Sequence, residues 1–392
     1  GVRSFEDEKR TKKAIDEAKA RYTSTEDCPD FRPNNICQRI TAWTFNILRR
    51  RKKNLRPPSY DNVAATIRTR KSKGGAHKEL KEFRKNPFWL DGGPPPELGE
   101  LPNLKGFTDP SQLDRVLYYH SYRQELQKNK NDPRGLFRIK LAAVPQRGGK
   151  DRVASLTDAS TLSLLYPLGE QAMRSIKGVP GLSEKFKDNV PSCAKRISKA
   201  FVNNDPSQLY FYSGDFEKST DAIYHRCAAA VVRGLQKALG WTELQTYIAI
   251  SSFKADIQRV GKVTRGTLMG MPLSFVVLSL LNLFCAHEAG IHQHSVVHGD
   301  DFLTIAKKKQ IDKYIKLTSA CGFITNRTKS HISKTGGVFA GIHFIRMLTA
   351  IKKKQEEDGS QKTRYIAKGI RLPKASILTA SSQEFNQLDP FE

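Results

Sequence analysis

Four aspartates stand where the surrounding apolar pattern makes a carboxylate costly. Asp300 and Asp301 belong to SVVHGDDFLTIA, residues 295–306. Two apolar runs, Ser295-Val296-Val297 and Phe302-Leu303-Thr304-Ile305, flank the polar tip His298-Gly299-Asp300-Asp301. The pattern is that of a tight hairpin, because β-branched and aromatic residues suit strands and Gly-Asp suits a turn. Adjacent carboxylates between buried strands repel each other and resist burial. A divalent metal is the commonest reason to place them there; the plain alternative is an exposed turn that uses two aspartates. Asp215 and Asp221 lie in QLYFYSGDFEKSTD, residues 208–221. Leu209 to Tyr212 reads as a strand that ends at Ser213-Gly214. Asp215 therefore sits at a strand's C-terminal end, as a ligand, a catalytic group or a turn initiator. Asp221 opens a helix (AIYHRCAAAVVRGLQKAL), where free backbone N–H groups favour a carboxylate, and its local reading is an N-cap.

Two further stretches could serve these acids. Phe137 to Thr157, FRIKLAAVPQRGGKDRVASLT, carries Arg138, Lys140, Arg147, Lys150 and Arg152 on short β-like runs around a Gly-Gly turn at 148–149. Cations alternating with apolars on a strand pair project from one side. That makes either a phosphate-facing strip or an edge protected by charge. Lys262 to His287 has a Gly-rich segment (Gly266, Gly270) leading through Pro272 into a nearly unbroken apolar helix. A helix apolar on all sides is buried, so its Ser274, Ser279 and Asn282 must find partners.

The elements that must position these groups follow from periodicity. Residues 1–22 read as an exposed helix with Ile15, Ala18 and Tyr22 as sparse apolars. Ile36 to Leu48 reads as a helix with one buried face, running into Arg49-Arg50-Arg51-Lys52-Lys53. A short helix is expected over Ala64 to Arg70, ending in a basic Gly loop. Gly92 to Pro96 (GGPPP) marks a linker or subdomain boundary, and Asp109 to Gln127 a further helix. Thr157 and Asp158 cap a helix to about Ile176. Lys307 to Cys321 is expected to be a helix ended by Gly322, with a strand starting at Phe323-Ile324. Gly336 to Phe344 (GGVFAGIHF) reads as a hairpin.

The chain has 392 residues, with 66 Lys and Arg against 39 Asp and Glu, a formal net charge of +27. A surplus of this size self-repels unless something anionic offsets it, which makes nucleic acid the leading partner and an anionic membrane surface the second. Six cysteines with no CxxC pair point to free thiols in a reducing compartment. No apolar run reaches transmembrane length and no signal peptide is recognisable. The chain starts with Gly rather than Met, which fits a fragment or a processed product.

In their order and spacing, these stretches resemble the palm of a viral RNA-dependent RNA polymerase, most closely the narnavirus, ourmia-like and levivirus branch. The likeness spans about Arg138 to Phe344. Its marks are GKDR at 149–152, DFEKSTD at 215–221, RGTLMGMPLS at 265–274 and GDD at 299–301. The resemblance implies a right-hand α+β fold whose antiparallel palm sheet is flanked by helices. It implies two Mg²⁺ (or Mn²⁺) ions held by Asp215, Asp300 and Asp301, and Lys329 as the donor of a proton to the leaving pyrophosphate. Asp221 would select the ribose 2′-hydroxyl with Ser274 and Asn282, although Leu278 stands where better-known positive-strand polymerases carry an Asn. Lys150, Arg152 and Arg147 would cover the triphosphate, and Arg138, Lys140, Arg265 and Gly266 would contact RNA or line its channel.

The implied partners are template and product RNA and ribonucleoside triphosphates, with a further replicase subunit or host factor to complete the wall. The host cytoplasm or mitochondrion is the expected location. The implied division is an N-terminal helical extension or fingers over 1–92, fingers over 97–207 with the basic strip at 137–157, palm at 208–222 and 262–335, a fingers insertion or palm helix at 223–261, and a primer-grip hairpin with a small or incomplete thumb at 336–392. Two other readings stand beside it. A reverse transcriptase usually has an aromatic-x pair before Asp-Asp and lacks an Asp at position 221. A basic RNA-packaging protein explains the charge but not aspartates in apolar contexts.

Overall fold

The computed structural model describes residues 5–24, 36–55, 65–67, 69–83, 137–146, 150–182, 190–202, 204–350 and 363–370. The helices are α1 (Phe5–Tyr22), α2 (Ile36–Leu48), α3 (Gly75–Phe83), α4 (Ala159–Ile176), α5 (Val190–Ser198), α6 (Ser219–Ala222), α7 (His225–Leu239), α8 (Glu243–Ser251), α9 (Ser274–Glu288) and α10 (Lys308–Ala320). The strands are β1 (Arg138–Gln146), β2 (Lys150–Thr157), β3 (Leu209–Gly214), β4 (Asp256–Ile257), β5 (Gly261–Lys262), β6 (Ser295–His298), β7 (Asp301–Lys307), β8 (His331–Ser333), β9 (Gly336–Phe339), β10 (Ile342–Ala350) and β11 (Thr363–Ile370). The fold is α+β, with sheets in the orders β6-β7-β3-β8, β2-β1-β4-β5 and β11-β10-β9.

The first sheet is antiparallel throughout and is the centre of the molecule. Successive side chains of a strand point to opposite faces, and both faces of β3 and β7 are covered. Tyr212, Phe302 and Ala306 pack into the large core formed with α2, α7, α9 and α10. Phe211, Leu303 and Ile305 pack the other way, onto α5, β9, β10 and β11. This double burial is why LYFY and FLTIA are apolar without alternation. α9 runs through the large core, and Val276 to Ala286 are all buried. The β2-β1-β4-β5 sheet has its own core, where Ile139 and Leu141 meet Ala18 and Tyr22 of α1 and Leu164 and Leu165 of α4.

Several elements match the expectation closely: α2, β3, the β6–β7 and β9–β10 hairpins, and a helix from Ala159 to Ile176. Others differ for identifiable reasons. α1 is exposed along most of its length, as expected, but Ala18 and Tyr22 are fully buried against the β1–β2 pair. No helix forms over 65–67, because the Ile67 amide donates to the Thr157 carbonyl of β2; helix α3 starts later, at Gly75. The helix expected to open at Asp221 is broken at Ile223-Tyr224. There Gly266 N–H donates to the Ile223 carbonyl and Tyr224 N–H donates to that of Cys321, so α6 stands apart as a single turn. Phe323-Ile324 is not a strand; only Thr325 bridges to Phe216. The linker at 92–96, the helix at 109–127 and Arg147 lie outside the described residues.

Gly322 ends α10 at φ +95°, and a Cβ there would sit 2.3 Å from the Ala222 carbonyl oxygen. That contact seats α10 against the turn that carries Asp221. Gly322→Ala combines left-handed strain with overpacking and should lower stability by about 2–4 kcal/mol, read as a shift of the denaturant midpoint. An unchanged midpoint would mean that the contact is not made.

Candidate active site

The Gly-Asp-Asp tip is held from behind by the apolar helix. β6 and β7 pair from Ser295↔Thr304 to His298↔Asp301, which leaves Gly299-Asp300 as a two-residue turn. Gly299 has φ +62° and Asp300 is not in the positive-φ region, the pattern of a II′ hairpin with Gly first. The Gly299 amide donates to Ser279 Oγ at 3.2 Å, and its carbonyl accepts from Asn282 Nδ2 at 3.0 Å. Tyr314 of α10 donates to Asn282 Oδ1 at 2.6 Å. A Cβ on Gly299 would lie 3.0 Å from the Phe275 ring. Asn282, expected as a ribose contact, is thus fully buried with both ends of its amide turned to the hairpin and to Tyr314.

Asp215 follows directly on β3. The β3–β7 ladder ends at Gly214↔Phe302, so Asp215 leaves the sheet at the end where Asp301 enters it, close enough for their carboxylates to repel. Its carbonyl accepts from Asn326 N–H and from Ser330 Oγ, and its amide donates to Ser330 Oγ. This fixes the acid against the 326–330 turn, and Lys329 Nζ stands 3.5 Å from Asp215 Oδ2. Ser219 of α6 donates to Asp300 Oδ2 at 3.3 Å. Burial, then the nearby Asp300 and Asp215 carboxylates, push Asp301 up to about 6. Among the described residues, no group of three or more His, Cys, Asp and Glu side chains forms a ready-made metal cage.

Asp221 is not an N-cap. The residue before α6 is Lys218, in a left-handed conformation, and the Asp221 carboxylate turns to α1 instead. Tyr22 Oη donates to its Oδ1 at 2.6 Å and Arg21 Nε donates to its Oδ2 at 3.2 Å. Burial, then Asp221, raise the Tyr22 phenol well above its ordinary range, so it stays a donor. Gly266 packs its α-carbon on the Asp221 carbonyl, where a Cβ would come within 2.8 Å. Arg265 donates to the Ala222 carbonyl and stacks over Tyr224. Ser274 gives its hydroxyl to the Thr267 and Leu268 carbonyls. The expected RNA contacts Arg265 and Gly266 therefore hold the Gly loop against α6 and its exit, and the expected ribose contact Ser274 ties that loop to the start of α9.

The strand pair expected to carry the cationic strip forms. In the β1–β2 register Lys140 faces Leu156 and Val144 faces Arg152, so, among the cations whose side chains are described, Arg138, Lys140 and Arg152 share one face of the pair. Arg138, Lys140 and Arg152 are exposed, while Ile139 and Leu141 are buried. A cavity of about 620 Å³ joins these parts: its lining includes Arg152, Asp221, Ser274, Asp300 and Lys329, with Arg21 from α1. Sequence reading missed Arg21, Tyr22, Ser219, Ser279 and Tyr314. The burial of α9 made partners for Ser279 a requirement without saying where they were, and nothing local marked Tyr22.

Two outcomes follow from this geometry. Asn282→Ala leaves the buried Gly299 carbonyl and the Tyr314 hydroxyl unpaired and should cost about 2–4 kcal/mol, where a surface Asn→Ala costs about 0.5 or less. Equal midpoints for parent and variant would refute the pinning. A carboxyl raised from 3.8 to about 6 favours the folded state in acid, and that contribution is lost as pH rises from about 4 through 6. After discounting for partial solvent screening, the parent should lose about 1–2 kcal/mol relative to Asp301→Asn across that window. Denaturation curves at a series of pH values check it, and parallel profiles would show that Asp301 is not repelled.

No protein-family model matches the sequence. Over 286 residues, 66% of this chain and 29% of the relative, it is 23% identical to the RNA-directed RNA polymerase of Saccharomyces 23S RNA narnavirus. Over 302 residues, 72% of this chain and 34% of the relative, it is 25% identical to that of Saccharomyces 20S RNA narnavirus. The chain thus spans about a third of the length of these curated relatives. Among solved structures it is similar, at 16% identity, to two forms of the RNA-dependent RNA polymerase of a human picorbirnavirus. The insertion-loop deletion mutant gives a TM-score of 0.45 over 53% of this chain and 44% of that one; the other form gives 0.41 over 53% and 43%. Across about two thirds of its length, then, the chain is similar to viral RNA-directed RNA polymerases.

Proposed function

We propose that this chain carries the catalytic core of an RNA-directed RNA polymerase, which joins ribonucleotides to an RNA 3′ end on an RNA template. The single observation that carries the reading is the convergence of Asp215, Asp300 and Asp301 at one end of the β3–β7–β6 sheet, beside a cavity walled by Arg152 and Lys329. The narnavirus relatives support it. In right-hand terms, we assign 208–222 and 262–335 to the palm, the β1–β2 pair to the fingers and the 336–344 hairpin to a primer grip.

The residues fit divalent cations. Hard carboxylate oxygens select Mg²⁺ or Mn²⁺, and burial, then the neighbouring Asp300 and Asp215 carboxylates, push Asp301 upward, a cost that a bound cation would offset. Asp215, Asp300 and Asp301 would hold two such ions. When bound, they supply Lewis-acid activation of the primer 3′-hydroxyl and stabilise charge on the pyrophosphate.

The chain's own residues do the rest. Arg152, with Lys150 and Arg147, neutralises the triphosphate, and Arg138 and Lys140 extend the strip toward the nucleotide channel. The Asp221 carboxylate accepts from the ribose 2′-hydroxyl. Lys329, half-exposed beside Asp215, passes a proton to the leaving pyrophosphate. We assign Ser274 and Asn282 to holding the Gly loop and the hairpin, and Arg265 and Gly266 to seating α6.

The test is extension of a primed RNA template with Mg²⁺ and ribonucleotides. The parent should extend, and Asp300→Ala should be slower by roughly 10²–10³-fold, the usual cost of removing a group that stabilises the transition state. Lys329→Ala should lose roughly 10²-fold, the low end for a general acid. Extension with deoxynucleotides alone would make the chain a reverse transcriptase. RNA binding without extension by parent or variant would make it a packaging protein.

A further inference from the structure

Helix α1 lies outside the stretch on which the polymerase likeness was first drawn, yet its C-terminal turn reaches the sugar-selecting acid. Asp221 is 8% exposed and lines the cavity. A carboxylate has about four acceptor sites. Among the described residues three are taken: Oδ1 accepts from Tyr22 Oη at 2.6 Å and from Thr220 Oγ1 at 3.2 Å, and Oδ2 accepts from Arg21 Nε at 3.2 Å. One site on Oδ2 remains, and a ribose 2′-hydroxyl brings one donor.

Helix α9 does not aim this carboxylate. The Ser274 hydroxyl is given to backbone carbonyls, the Asn282 amide to the hairpin and Tyr314, and Leu278 presents an apolar wall. The α1 groups are themselves anchored. The Tyr22 carbonyl accepts from both the amide and the hydroxyl of Thr264, at 2.8 and 2.9 Å, in the segment that enters the Gly loop. The Tyr22 ring is fully buried. At the other end of the helix, Thr11 Oγ1 and Arg10 Nε donate to Asp151 Oδ2 at 3.0 and 3.4 Å, on the cationic strand pair. A carboxylate held by a buried phenol on one oxygen and a guanidinium on the other cannot rotate freely about its last bond.

We infer that Arg21 and Tyr22 are positioning residues for ribose selection: they fix the Asp221 carboxylate so that its one remaining acceptor faces the nucleotide cavity. The inference rests on the polymerase reading above. It gives α1 a role in substrate choice and makes the N-terminal helix part of the active site.

Single-nucleotide insertion on a primed RNA separates the two claims. The quantity read is kcat/KM for ATP divided by kcat/KM for 2′-deoxy-ATP, with the same affinity ratio measured by displacement of a fluorescent nucleotide. Tyr22→Phe removes one hydrogen bond to a charged group and should lower both ratios by about tenfold, mainly through a higher KM for ATP. Arg21→Gln should lower them severalfold. Thr11→Val, which loosens the far end of α1, should slow both nucleotides alike and leave the ratios unchanged.

Thermal denaturation confirms that each variant is folded, and Arg21→Gln, altered at a partly exposed side chain, carries the test if Tyr22→Phe is not. Variants that slow ATP and 2′-deoxy-ATP equally would overturn the inference while leaving the polymerase reading intact. A folded parent that extends no RNA would overturn both.

Discussion

The peptide of Gly299 is the constraint on which the site depends. It sits in the tightest part of the β6–β7 hairpin, and both its polar groups are buried against α9. In an apolar setting an unpaired amide or carbonyl costs as much as a lost hydrogen bond or more. Ser279 and Asn282 remove that cost, one for each group, and Tyr314 holds Asn282 in turn. The chain of bonds links α10, α9 and the hairpin, so Asp300 and Asp301 project from a rigid support. The two polar residues inside an otherwise apolar helix are there for the turn they face. Substituting either disturbs the hairpin before it disturbs the helix.

A rigid support is needed because the acids repel one another. Asp301 feels Asp300 beside it and Asp215 across the sheet, and the backbone of Asp215 is tied to Asn326 and Ser330. Lys329 offsets part of the charge. The wider molecule supplies more, through a net charge of +27 and a strand pair with its cations on one face. A small acidic centre inside a cationic shell is the arrangement the proposed reading needs, with cations to attract a polyanion and carboxylates for hard cations. The cavity is where the two meet.

α1 joins these halves. Its N-terminal half bonds Asp151 on the cationic pair, and its last turn bonds Asp221 beside the acids. Lys218, just before the turn that carries Asp221, pairs with Glu17 of the same helix. A helix that looks solvated in sequence is in the structure a brace between the walls of one cavity.

Much of this was legible in the sequence because it is local. LYFY and FLTIA read as strands from residue type; the apolar run after Pro272 read as a buried helix; GGVFAGIHF read as a hairpin, which forms with positive φ at both Ala340 and Gly341. The strand pair that carries the cations was legible from the period of two; its register, with Gln146 opposite Lys150, was not. What the sequence could not decide is where each polar group would end. Asp221 carries a perfectly good N-cap pattern, and its partners are Arg21 and Tyr22, some 200 positions away. Asn282 lies within a turn or two of Ser274 on the same helix but serves the hairpin and α10. The helix expected from Asp221 onward is cut at Ile223 because Gly266 and Cys321 claim its backbone groups. Period and residue type determined the elements and the candidate bearers of chemistry; the tertiary structure decided their roles, since each buried donor and acceptor is satisfied by whatever folding brings near, and sequence spacing carries no record of that distance.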